Sequence, residues 1–188
     1  MSLLAFFEQL AETPWSIDIH ESELAYSLIE SIHVWSLCLF FGLAVMFDLR
    51  LLGWILRKVP VSEFSRRLLP WTIVGFVLMV ISGVLLVYAI PVRTYQSIFF
   101  RIKVVLLILA GLNVWFFHSR VLPKAATWDV DVVPPRAARV AGALSLAFWI
   151  GVVVTGRMIA YNWFDCDRQP QPWIINALTS CFPTDAVQ

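Results

Sequence analysis

The sequence predicts an all-α fold, a four-helix transmembrane bundle with a short N-terminal interfacial helix. Three observations predict it. Of its 188 residues, 60% are hydrophobic and mean hydropathy is +0.78. That is richer than the roughly half-apolar make-up of soluble domains. Four apolar runs each reach about the 20 residues needed to cross a bilayer. No stretch competes with them by the period-two alternation of a half-buried strand.

The elements follow in chain order. SLLAFFEQLAE places Leu3, Leu4, Phe7 and Leu10 on one helical face, with Glu8 and Glu12 opposite. This predicts a short amphipathic helix, lying in the outer leaflet or packed on the bundle. The spans are expected at roughly 24–49, 69–90, 100–122 and 137–163, with Pro91, Pro123 and Pro134-Pro135 marking breaks between them. No internal repeat is evident. The outline is an outer-face segment over 1–22, a bundle over 23–163 and an outer-face tail over 164–188.

Basic residues set the expected direction. The first connection carries Arg50, Arg57, Lys58, Arg66 and Arg67, and the third carries Arg120, Lys124, Arg136 and Arg139. The second has Arg93, Arg101 and Lys103, the tail has Arg168, and the first 49 residues have neither Lys nor Arg. Both termini are therefore expected outside, which in a bacterial inner membrane is the periplasm. With no basic n-region, no cleaved signal peptide is expected, and insertion falls to the helices themselves. A net charge of +1 points away from a nucleic-acid partner, which would need a basic stripe. The bilayer, other membrane subunits or a second copy are the expected partners. Cys166 and Cys181 fall in the tail on the oxidising side, where a disulfide is expected. Cys38 lies within an apolar run. Trp15, Trp54, Trp71, Trp128, Trp163 and Trp173 fall near predicted membrane edges, as in an aromatic belt.

Ionisable residues within spans are costly, face the bundle interior and often mark function. Helix direction and a rise of about 1.5 Å per residue group them by depth. Glu30, His33, Lys103, Arg157 and Tyr161 form a candidate outer cluster. Asp48, Arg50, Asn113 and His118 form a candidate inner one. A plainer reading competes with function: Glu30 and Arg157 as an ion pair that fixes helix register, and Asp48 and Arg50 as interfacial anchors.

Histidines on facing helices suggest haem b, with His33 and His118 as the candidate ligands. Their depths differ by about 15 Å, so one iron shared between them is strained. A haem held by one histidine, or one completed by Met79, Met158 or a partner subunit, is the alternative. Glu30-x-x-His33 also matches di-iron bundles, but those need two such motifs and further carboxylates, which the second and third spans lack. Copper(I) would need clustered thiolate or thioether ligands. No nucleophile elbow, phosphate loop or dinucleotide fingerprint occurs, so an enzyme is not the favoured reading. Gly75, Gly83, Ala141 and Ser145 read as close-packing positions.

Three stretches, IHVWSLCLFFGLAVMFDLRLLG at 32–53, FRIKVVLLILAGLNVWFFH at 100–118 and PRAARVAGALSLAFWIGVVVTGRMIAY at 135–161, resemble an uncharacterised family of bacterial four-helix inner-membrane proteins. That family is similar in style to the copper-resistance D membrane domain and to cytochrome b-like bundles. The resemblance implies that His33, Lys103, Asn113, His118 and Arg157 are family-type positions, and it implies no particular reaction. The expected function is an accessory subunit or partner in a membrane assembly, with a redox link in view. The alternatives are a b-type haem protein between quinone and a periplasmic acceptor, and a proton or small-solute conduit.

Overall fold

The protein is described by a computed structural model covering residues 3–129, 131, 133–161, 163–164, 166, 170–179 and 181. Arg168 lies outside the described residues. Four helices are long and apolar enough to cross a membrane: α3 (Glu23–Leu51), α4 (Val61–Ala89), α6 (Ile98–Phe116) and α7 (Arg136–Met158). α6 runs on through a π-helical turn, Phe117–Val121, and a 3₁₀ segment, Leu122–Thr127, and α7 ends in a 3₁₀ turn, Ile159–Tyr161. No strand occurs among the described residues, as the hydropathy pattern leads one to expect.

α4 begins eight residues earlier than its apolar run. Hydropathy misses this stretch because VSEFSRRL is polar, yet it is helical for local reasons. The Asp129 carboxylate accepts from Ser62 N at 2.7 Å and from Ser62 Oγ, capping the helix from another part of the chain. Glu63 and Arg67 pair one turn apart at 2.5 Å. At 29 residues the helix is about 43 Å long, longer than a hydrocarbon core of about 30 Å.

The main packing contacts run in the order α4, α3, α7, α6. At mid-height Phe40, Met79, Ala110, Trp149 and Val152 form one buried layer drawn from all four helices. Without a hydrophobic drive between helices in lipid, close approach comes from small residues. At Gly75 a Cβ would sit 3.0 Å from Phe40 N, and at Gly142 one would sit 3.0 Å from Leu51 Cβ and 3.1 Å from the Asp48 carbonyl. These are the α3–α4 and α3–α7 crossings.

The end of the bundle where α3 and α6 begin is here the cap end. Two helices, not one, precede the first span there: α1 (Leu3–Ala11) and α2 (Pro14–Glu21). Pro14 at the start of α2 explains the break, since its ring suits a first helical turn but not an interior one. Ser16 is buried and donates to the Tyr88 carbonyl at 2.8 Å, while Thr13 Oγ1 and the Tyr88 hydroxyl lie 2.6 Å apart. A further short helix, α5 (Pro91–Gln96), fills the second connection. Phe7 of α1 stacks on Tyr95 at 4.9 Å, and Arg101 covers Tyr95 at 4.6 Å. α1 thus packs on the structure through Phe7 while Leu3 and Phe6 stay exposed. The tail holds one more helix, α8 (Trp173–Thr179), bracketed by the expected Cys166–Cys181 disulfide.

The opposite, loop end is a second core of Leu51, Val61, Phe117, Val121, Ala125, Trp128, Ala138 and Ala141. Trp128 is therefore core, in contrast to Trp15, Trp54, Trp71, Trp163 and Trp173, which are exposed.

Candidate functional site

Near the cap end, His33 stands on the third turn of α3. Its Nδ1 lies 3.0 Å from Ser82 Oγ of α4, and Ser82 also donates to the Leu78 carbonyl. The ring has room because the next residue is glycine: a Cβ at Gly83 would lie 3.2 Å from His33 Cε1. Lys103, on the second turn of α6, is set the same way against α7, its Nζ 3.3 Å from where a Gly156 Cβ would stand. Lys103 and Glu30 are both within electrostatic reach of His33. Glu30 and Arg93 act likewise on Tyr26. Glu30 itself is exposed. Arg157 lies over the Tyr161 ring at 5.3 Å, and both are exposed.

Of the candidate outer residues, Glu30 and Lys103 are within electrostatic reach of His33, while Arg157 and Tyr161 pair with each other beside Gly156. Ser82, Gly83, Gly156 and Tyr26 complete the group. Gly83 is visible in the sequence as a small residue; its partnership with a histidine is not, because that depends on how α3 is rotated.

The candidate inner residues occupy separate places. Asp48 is buried between α3 and α7 and hydrogen-bonds Ser145; its Oδ2 has no partner among the described residues. Arg50 is wholly buried and points into the loops. Its Nε donates to the Val59 carbonyl at 2.9 Å and its Nη2 to the Asp129 and Asp131 carbonyls at 3.5 Å. Its electrostatic partner is Asp129, not Asp48. Asn113 donates to the Ala141 carbonyl at 2.9 Å, tying α6 to α7. His118 is exposed, its Nδ1 3.0 Å from the Val114 carbonyl one turn back.

Among the described residues, Ser145 is a hydrogen-bonding side chain set against the Asp48 carboxyl. Ser145→Ala should therefore cost about 1–3 kcal/mol, the usual penalty for orphaning a buried polar group. In an Asp48→Leu background it should cost little. A double-mutant cycle on unfolding in detergent checks this; equal costs in both backgrounds would refute the coupling.

The histidines do not fit a shared haem. His33 and His118 stand ten and twenty residues from the cap-end starts of α3 and α6, about 15 Å apart in depth. The buried Phe40, Met79, Ala110, Trp149 layer lies between their levels. Among the described residues, no group of three or more His, Cys, Asp or Glu side chains could hold a metal ion.

Four apolar helices, packed through glycines and carrying polar side chains at two levels, define an integral membrane helical-bundle protein. The chain belongs to a family of unknown function, DUF6644, whose model matches residues 7–162, from within α1 past the end of α7. No curated protein and no solved structure matches it.

Proposed function

We propose that the protein is a non-enzymatic, accessory component of a bacterial inner-membrane assembly, with its cap end toward the periplasm and another membrane subunit seated on α3. The observation that carries this reading is the free side of α3. Trp35 is 79% exposed and makes no hydrogen bond to a described residue. It stands about 18 Å along a helix of about 43 Å, close to mid-membrane. Indoles favour the interface, where the N–H meets water; at mid-depth, a second protein surface supplies the partner that hydrocarbon cannot. Glu30, exposed about 10 Å from the helix start, asks the same of its neighbour, a basic or hydrogen-bonding side chain. Basic residues concentrated in the first and third connections support the orientation.

The other functions expected from the sequence are less well supported. Electron transfer through one haem needs histidines that meet. A conduit needs a route through the packed mid-height layer.

A photo-crosslinking amino acid at position 35, in native membranes, should capture one protein stoichiometrically. The same group at Val105, an exposed position on α6, should capture lipid only. Glu30→Lys should abolish the protein adduct. Lipid adducts alone at both positions would overturn the proposal.

A further inference from the structure

The group around Lys103 holds a cation that no carboxylate among the described residues pairs with. Lys103 is half-buried within a membrane-spanning helix. Its Nζ forms no hydrogen bond or ion pair with a described residue. The His33 imidazole is within its electrostatic reach, and the carboxylate that also acts on that imidazole, Glu30, is exposed one turn toward the cap end. An ammonium half-buried against protein without an anion among the described residues is costly. The helices have nonetheless been shaped to keep it: Gly156 leaves the space that a Cβ would take from Nζ, and Gly83 does the same for His33. Four helices contribute to the arrangement, through His33, Ser82 with Gly83, Lys103 and Gly156.

We infer that this is a binding site for an oxyanion carried on a lipid, with Lys103 as counter-charge and the His33 imidazole beside it. Two features point to an amphiphile. Lys103 lies about 8 Å below the start of α6, in the outer part of the span, where a long lysine stem can carry its charge toward a head group. Around it the flanks of α6 and α7 are apolar and exposed, at Ile102, Val104, Val105 and Val154, a surface that suits an acyl chain. Phosphate of a phospholipid and carboxylate of a fatty acid share the chemistry that a lysine recognises, and free inorganic phosphate shares it without the tail.

The test uses the full chain in a mild neutral detergent, read by native mass spectrometry and thermal shift. Phosphatidylglycerol, a fatty acid, phosphatidylcholine with matched tails and inorganic phosphate are added separately. Retained adducts and a raised unfolding midpoint are expected with the anionic lipids and not with phosphatidylcholine or phosphate. Lys103→Met, which keeps the stem and removes the charge, should weaken anionic-lipid binding at least tenfold. Lys124→Met, in the exposed 3₁₀ segment at the loop end, should leave it unchanged. Should Lys103→Met elute as an aggregate, Gly156→Leu provides an independent block. Undiminished binding by a folded Lys103 variant, no preference for anionic over zwitterionic lipid, or binding of free phosphate alone would each overturn the inference. Crosslinking from position 35 should be unaffected by Lys103→Met, so this site and the subunit contact on α3 are judged separately.

Discussion

Replacing Arg50 by alanine is expected to destabilise the protein by about 3–5 kcal/mol. The side chain is wholly buried and serves the carbonyls of Val59, Asp129 and Asp131. Its removal leaves these acceptors without their donor, at roughly 1–3 kcal/mol for each orphaned group. Arg50→Lys should recover less than half of the loss, because a single ammonium cannot spread donors across carbonyls from two loops as a planar guanidinium does. The Asp129 caps on Ser62 should loosen together with it, since both fix the same loop. Unfolding midpoints in detergent, with proteolysis of the first and third connections, would measure the effect. An Arg50→Ala protein as stable as the parent would mean that these loops are held by other contacts.

Gly75→Leu should also destabilise the protein, through the α3–α4 crossing. A Cβ there would stand 3.0 Å from Phe40 N and 3.2 Å from Phe40 Cα. Backbone cannot rotate aside as a flexible side chain would, so α3 and α4 must separate and the mid-height layer must open. Overpacking of this kind costs about 1–3 kcal/mol, and the alanine variant should already show part of it. Gly42 and Gly111 are controls within the same molecule, because a Cβ at either has nothing within 4 Å. Gly42→Ala and Gly111→Ala should be neutral, or stabilising by up to about 1 kcal/mol through helix propensity. Equal losses at all three glycines would show that crowding is not the cause.

The contrast among these glycines also shows how far the sequence could be read. The four spans were legible because hydropathy reports length, and length against bilayer thickness is a one-dimensional question. Which face of each helix turns inward is not. α3 is apolar nearly all round, so no stripe marks its buried side, and Gly42 and Gly75 look alike until neighbours are assigned. The same limit applies to the polar groups. Depth placed Glu30, His33 and Lys103 at one level, and Glu30 and Lys103 lie within electrostatic reach of His33. Depth also placed Asp48, Arg50, Asn113 and His118 at one level, but Asp48 turns to α7, Arg50 to the loops and His118 outward. Rotation about the helix axis separates them, and it is set by close packing at Gly142 and Gly75 rather than by any pattern of charge. The early start of α4 was hidden for another reason: its cap, Asp129, comes from a segment 67 residues away.

The order α4, α3, α7, α6 has a consequence for biogenesis. Each outer pair is a hairpin of consecutive spans, α3 with α4 and α6 with α7, and the α3–α7 contact is the main link between the two pairs. A ribosome-bound chain can therefore complete its first hairpin, with His33 on Ser82 and Phe40 on Gly75, before the second has left the insertion machinery. Joining the hairpins is then a lateral docking step within the bilayer, of the kind that follows insertion in two-stage assembly. The groups that meet at that step are Asp48, Leu51, Gly142 and Ser145.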